Sequence, residues 1–126
     1  MRTGPTLLLA LVVVNAACAS VEEREPLAVK ASAYNSTPAQ TQGDPNEGAW
    51  GDEITPGMKV IAVSPDLLEA GLGRGTKVRI EGLDGTWTVL DRTASRHRNR
   101  IDIYMGTDVD AALEWGIKEV TIHVLR

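Results

Sequence analysis

Asp91 and Asp102 stand eleven positions apart at the ends of an Arg-rich stretch, Leu90-Asp91-Arg92-Thr93-Ala94-Ser95-Arg96-His97-Arg98-Asn99-Arg100-Ile101-Asp102-Ile103-Tyr104. Each lies among aliphatic, largely β-branched residues, where a carboxylate is costly to order unless it is paired or has a task. In Ile101-Asp102-Ile103-Tyr104 the period of two puts both Ile side chains on one face of a strand and Asp102 with Tyr104 on the other. Asp102 can thus face a cleft while its neighbours anchor the strand. Two carboxylates at one site are the ordinary equipment of glycoside hydrolysis, an acid for the leaving oxygen and a second group as base or nucleophile. A carboxyl that works as a general acid near neutral pH needs burial or a like-charged neighbour to keep its proton. Asp91 is the candidate neighbour for Asp102. The structural alternative is that Asp102 caps loop amides or pairs with Arg100.

Other residues carry weaker chemistry. Arg96, Arg98 and Arg100 alternate in sequence and, on extended backbone, point together at an anionic ligand; the alternative is a solvated loop that neutralises nearby Asp residues. Trp50 offers a face for stacking on a sugar, although a Trp in a domain without Phe is commonly core. Trp87 and Trp115 read as core. His97 and His123 are twenty-six residues apart with no Cys or paired acid at ligand spacing, so no metal is expected, and no cofactor. Ser64 precedes Pro65 without a nucleophile's surroundings, and Gly71-Leu72-Gly73-Arg74-Gly75 lacks the Lys-Ser/Thr end of a phosphate loop and reads as a turn.

The elements that must position these groups are short. Val29 to Tyr34 reads as a first strand, and Asn35 to Glu53, rich in Asn, Ser, Thr, Gln, Gly and Pro, as a long loop of the kind that often carries function. Met58 to Val63 is an apolar strand. Ser64-Pro65-Asp66 then opens a short helix ending near Ala70, with a hydroxyl at the N-cap, Pro at the first position and an acid in the first turn. Thr76 to Ile80 alternates as a half-buried strand, and Asp84-Gly85 predicts a type I′ hairpin into a strand from Thr86 to Asp91. Ile101 to Met105 is another strand. Thr107 to Trp115 predicts a helix, Thr107 and Asp110 forming a capping box and Gly116 ending it, before a last strand with Val120, Ile122 and Val124 on one face. About six strands, two short helices and Gly-rich turns make a small β-barrel.

Composition bounds the class. The 126 residues allow one small core, and the 43% hydrophobic content is raised by the uninterrupted apolar run Leu7 to Val14 after Arg2. That run is too short for a membrane-spanning helix and suits the middle of a secretory signal, so residues 1–19 are expected to be a signal peptide. Asn15-Ala16-Ala17-Cys18 resembles a lipobox around the single Cys of the chain, which has no partner for an internal disulfide. Lipidation of Cys18 is the favoured reading, with cleavage after Ala19 the alternative. Residues 20–26, with Glu22-Glu23-Arg24-Glu25 before Pro26, read as a tether, and residues 27–126 as the domain. Without the signal, 12 basic residues face 17 acidic ones, a formal charge of −5 that argues against a nucleic-acid partner.

Ala33-Tyr34, Ile61-Ala62-Val63-Ser64-Pro65, Gly75-Thr76-Lys77-Val78, Leu90-Asp91, Arg100-Ile101-Asp102-Ile103-Tyr104, Trp115-Gly116 and Val120-Thr121-Ile122, in that order, resemble the three-aspartate (3D) domain. That domain ends the membrane-bound lytic transglycosylase A family and is related to rare lipoprotein A and to the barwin and expansin modules. The resemblance covers nearly all of Leu27 to Arg126. It implies a mainly β fold, a six-stranded double-psi β-barrel with two short helices, acting on peptidoglycan. It also implies that Asp102 is the catalytic acid/base, with Asp91 tuning it. A lytic transglycosylase needs only one carboxyl, because the 6-hydroxyl of the muramic sugar closes onto its own anomeric carbon. Two departures stand out. The family's first Asp falls at Ser64 unless Asp66 takes its place, and Thr93 to Asn99 replaces the usual Gly-rich connection. The large sugar-gripping domain of the transglycosylase finds no counterpart in the sequence.

The expectation is an exported, envelope-anchored lipoprotein, monomeric, that cleaves peptidoglycan glycan strands at the MurNAc-GlcNAc bond. Tyr104, Arg96, Arg98, Arg100 and Trp50 would contact substrate. A non-catalytic module that binds glycan or a wall protein, and a structural envelope lipoprotein, are the alternatives from other classes. Because the lipid reading rests on one side chain, Cys18→Ser should move the protein from the membrane to the soluble exported fraction, as fractionation would show. Wild type that is already soluble with Ser20 as its N-terminus would refute lipidation.

Overall fold

The computed structural model describes residues 25–37, 44 and 46–125. Cys18, the whole of the expected signal and most of the tether lie outside the described residues. Eight elements follow one another: β1 (Leu27–Tyr34), β2 (Val60–Val63), α1 (Pro65–Glu69), β3 (Lys77–Ile80), β4 (Trp87–Arg92), β5 (Arg100–Tyr104), α2 (Val109–Trp115) and β6 (Lys118–Val124). The strands close into a barrel in the order β1-β5-β2-β4-β3-β6. The β1–β5 and β2–β4 pairs are parallel and the rest antiparallel. Parallel partners cannot be joined by a tight turn, so the chain must cross between them. The loop after β1 and the Arg-rich loop after β4 therefore both lie next to the strands that carry the carboxylates.

Period-two alternation builds the core. Each strand sends two apolar side chains inward: Val29 and Ala31, Ile61 and Val63, Val78 and Ile80, Trp87 and Val89, Ile101 and Ile103, Ile122 and Val124. Leu67 from α1 and Leu72 close the cluster. A fully buried aliphatic side chain contributes roughly 1.5–3 kcal/mol. A one-residue slip in any strand would forfeit two of these and bury polar groups in their place, so the inner face fixes the registers.

One deliberate break in that alternation matters more than any other. Along β2 and β4 the pairing runs Ile61 with Val89 and then Ala62 with Asp91, the register shifting at a β-bulge that leaves Leu90 as the extra residue. Without it Asp91 would pair with Val63 and enter the core. With it Asp91 lies on the outer face beside Ala62, which pairs on its other side with Asp102. Asp102 pairs in turn with Ser32. Ser32, Asp102, Ala62 and Asp91 thus form one row across four adjacent strands.

The loop after β1 is fastened to the bulge. Gly48 is buried so close to it that an added Cβ would lie 2.4 Å from the Leu90 carbonyl oxygen and 2.8 Å from the Ile54 side chain. Ile54, Val60 and Tyr104 form a second, smaller apolar cluster on the outside of the barrel, with Tyr34 and Leu90 packed against it. On the other flank Arg74 holds Asp52 in a bidentate pair at 2.6 and 2.8 Å.

Three local expectations are corrected. Asp84-Gly85 is not a type I′ turn, since that turn needs positive φ at both residues and Gly85, at 86°, has it while Asp84 does not. β3 pairs with β4 only at Lys77 and Val78, and on its other edge with β6 from Val78 to Ile80. The N-cap of α2 is Asp108, whose carboxylate accepts from the Ala111 amide at 3.0 Å, and not Thr107. Ser64 does sit at the N-cap of α1, but its hydroxyl caps nothing there because it is engaged by β5.

Because the obstacle at Gly48 is backbone, Gly48→Ala should destabilise the domain by about 1–3 kcal/mol in urea unfolding. Gly73→Ala, with nothing within 4 Å of its added Cβ, should be neutral or slightly stabilising. Equal effects of the two would show that the loop does not press on the bulge.

Candidate active site

Asp102 stands in the middle of the outer row with its side chain 20% exposed. Its Oδ1 accepts from the Ser32 hydroxyl. Arg100, two residues before it on the same face of β5, directs Nε and a terminal nitrogen at the same Ser32 oxygen, at 3.2 and 3.0 Å, and its Nε lies 3.8 Å from Asp102 Oδ1. Carboxylate, hydroxyl and guanidinium form one connected group. The parallel register of β1 on β5 creates it by pairing Lys30 with Arg100 and Ser32 with Asp102.

Asp91 has different partners. Its Oδ1 accepts from the amides of Ala49, in the long loop, and Arg92, both at 2.9 Å. Its Oδ2 accepts from the Tyr34 hydroxyl at 3.2 Å. Half-burial first, and then the Asp91 carboxylate, push the Tyr34 hydroxyl well above the ordinary phenol range, with a smaller contribution from Asp102. Tyr34 is therefore a neutral O–H donor at every physiological pH. Its ring leans on Tyr104, centroids 5.4 Å apart and tilted 52°. Tyr104 itself is buried, 3% exposed, with its hydroxyl 2.8 Å from Ser36 Oγ. It faces outward as the sequence predicts, yet it lies beneath the loop and supports Tyr34.

The start of β5 is clamped. The Arg100 amide donates to Ser64 Oγ at 3.0 Å, the Ser64 hydroxyl donates to Asp66 Oδ1 at 2.7 Å, and both Asp66 oxygens accept from the Asn99 amide at 3.1 and 2.9 Å. The Ser64 hydroxyl, and then the Asn99 amide, hold the Asp66 carboxyl below the usual range. Ser64 and Asp66 thus both grip the chain just before Asp102. Asn99 takes φ 51°, and its side chain donates to the Ala28 carbonyl at 3.0 Å. Asn suits such a left-handed turn.

The arginines do not line up. Alternation points side chains together only on extended backbone, whereas the chain turns at Ser95–Arg96 and is left-handed at Asn99. Arg98 reaches back to the carbonyls of Ser95 and His97 at 3.0 and 2.8 Å, Arg96 is exposed, and Arg100 alone joins the carboxylate row. Trp50 is not core: it is 36% exposed on the long loop, one residue after the Ala49 amide that holds Asp91, with the Arg92 guanidinium 5.9 Å from its ring centroid. Trp87 is core, and Trp115 packs on the core with its indole N–H on the Ala31 carbonyl at 3.1 Å. Sequence reasoning gave no role to Ser32 or Tyr34. Their spacing of two marks one strand face, but nothing local reveals that this face lies in register with Asp102 and Tyr104.

Asp102 and Asp91 are partly exposed, whereas Ser32 and Ala62 in the same row are buried. A hollow of about 550 Å³ between Gly75, Lys77, Thr86 and Leu125 includes neither carboxylate. A smaller cleft of about 280 Å³ borders Asp91, lined by Ala49, Pro65, Leu68, Arg92, Thr93 and Ser95.

No family model and no curated protein sequence matches the chain. Solved structures do. A mutant of Clavibacter michiganensis expansin in complex with cellohexaose is 19% identical, with TM-score 0.55 over 81% of this chain and 51% of the expansin. The Streptomyces papain inhibitor is 21% identical, with TM-score 0.56 over 82% of this chain and 97% of its own. MltA from E. coli is 19% identical, with TM-score 0.50 over 69% of this chain and 29% of MltA. The chain thus spans about half of the expansin and under a third of MltA. At these identities the likeness establishes the fold, the double-psi β-barrel implied by the sequence resemblance.

The Tyr34–Asp91 contact makes a pH prediction. A phenol whose ionisation the fold disfavours contributes stability that is complete below its unfolded value, 10.0, and lost as pH rises above it. Wild type should lose stability between pH 10 and 12, and Tyr34→Phe should flatten that decline while losing about 1 kcal/mol at pH 7. Parallel declines for the two proteins in urea titrations would refute a strained ionisation at Tyr34.

Proposed function

We propose that this chain is an exported peptidoglycan-active domain, held at the envelope through Cys18, that cleaves the MurNAc-GlcNAc bond in the manner of a lytic transglycosylase. The observation that carries the reading is the outer row Ser32–Asp102–Ala62–Asp91, which a β-bulge brings onto one face of the barrel with both carboxylates partly exposed. A site on the outer side of the barrel wall rather than in its interior suits a polymer whose ends lie far from the site. The fold is shared with MltA and with an expansin whose complex contains cellohexaose, which supports a polymeric glycan as the ligand.

In this reading the Asp102 carboxyl gives its proton to the glycosidic oxygen as the bond to the anomeric carbon breaks. The muramic 6-hydroxyl then attacks that carbon, and its proton returns to Asp102, closing the 1,6-anhydro ring with no water consumed. Ser32 and Arg100 orient the carboxyl through one shared oxygen. Asp91 supplies negative charge on the same face, fixed by two amides and the Tyr34 hydroxyl, which suits the stabilisation of an oxocarbenium-like centre. Trp50 offers an exposed aromatic face beside Asp91 for a neighbouring sugar ring.

A second reading has its own observation. Asp102 is already engaged by Ser32 and Arg100, as a structural carboxylate would be, and a domain so arranged binds glycan without cutting it.

Mass analysis of purified sacculi incubated with the soluble domain separates the two, because only cleavage yields anhydromuramyl ends. Asp102→Asn should abolish those products, a loss of at least about 100-fold, while folding and glycan binding persist. Asp91→Asn should keep part of the activity. Binding without anhydro products from wild type would leave the binding module standing, and unfolding of Asp102→Asn would make Asp102 structural.

A further inference from the structure

We infer that the cleft between Arg92 and α1 receives the carboxylate-bearing peptide stem of the muramyl residue, making Arg92 a specificity-determining residue of this domain. The inference rests on the glycan reading above and names the part of the substrate that glycan chemistry alone leaves unassigned.

The cleft holds about 280 Å³ and lies directly beside the carboxylate row, since two of its walls are Ala49 and Arg92, the residues whose amides fix Asp91. Pro65 and Leu68 of α1 give it an apolar wall, and Thr93 and Ser95 line it with polar side chains. Arg92 is the one charged residue among those lining it. Arg92 is exposed, and its guanidinium lies 5.9 Å from the Trp50 ring centroid, a contact that limits where the head group can go without using its hydrogen-bond donors.

Those features match one occupant. A neutral glycan such as cellulose or chitin would gain nothing from a cation set apart from the sugar-facing row. A peptide stem carries methyl groups, amides and free carboxylates on a short lactyl arm from the sugar ring, and an apolar wall, hydroxyls and a guanidinium complement these in turn. Because Arg92 follows Asp91 directly, a stem lying in the cleft would hold its muramyl ring over the carboxylates. The stem then sets the register of the strand on the site as well as adding affinity.

The test compares binding of stem-bearing glycan strands with the same strands after their stem carboxylates have been converted to amides, using the Asp102→Asn protein in pull-downs so that cleavage plays no part. The unmodified cleft should bind the strands with free carboxylates about tenfold more tightly, the value of one charge-assisted contact. Arg92→Gln should bring the ratio near one, and Ser95→Asp, an exposed turn position that places a carboxylate in the cleft, should do the same without touching Arg92. Arg92→Lys should restore part of the preference. Equal binding of both strands by the unmodified cleft, or a ratio that survives both Arg92→Gln and Ser95→Asp, would overturn this inference and leave the glycan reading intact. Failure to bind either strand would overturn both, and a preserved ratio without anhydro products from wild type would remove only the catalytic step.

Discussion

A barrel of six strands has an interior that its own side chains fill, so any chemistry it performs must be carried outside. Here the inside is entirely apolar, two side chains per strand, and that requirement governs everything else. It fixes the register of each pair, and strict alternation would then drive Asp91 into the core beside Val63. The bulge at Leu90 is the release. It adds one residue, returns Asp91 to the outer face and lets it share a row with Asp102. Gly48 fits against the bulge carbonyl because it has no side chain, which brings the Ala49 amide to Asp91 and Trp50 to the rim. Loop, bulge and carboxylate are thus one packing unit.

How much of this can be read from the sequence follows from which interactions are local. The inward Ile101 and Ile103 with outward Asp102 and Tyr104 are legible because a period of two is a property of the strand alone. The helix openings are legible to within a residue: Asp108 displaces Thr107 as cap through a local contact to the Ala111 amide, whereas Ser64 loses its capping role to β5 through a contact that no short window contains. The parallel β1–β5 register that delivers Ser32 and Tyr34 to the site spans about seventy residues and leaves no local trace. The Arg96–Arg98–Arg100 alignment failed for the opposite reason. Its pattern is local, but it presumes an extended backbone that the Asp66–Asn99 clamp bends into a turn. The family resemblance supplied what periodicity could not, an expected topology, and the barrel has it.

The same clamp divides one task between two residues. Ser64 and Asp66 together satisfy the Arg100 and Asn99 amides at the mouth of β5. Splitting the task between a buried hydroxyl and a partly exposed carboxylate avoids fully burying a charge beside Val63, which favours the barrel core.

Those two carboxylates are not equivalent, and their difference is structural. Asp91 is surrounded by donors that belong to rigid parts, two backbone amides and the Tyr34 hydroxyl, so its position and charge are fixed features of the face. Asp102 is held by side chains alone, a serine hydroxyl and an arginine that also share a contact with each other. Side-chain partners can turn aside when a ligand arrives, whereas backbone amides cannot. A site that must exchange a proton needs one carboxyl whose partners can change during the reaction, and a site that must stabilise positive charge needs another that stays put. In the proposed reaction, what holds each Asp would suit Asp102 to the proton and Asp91 to the field.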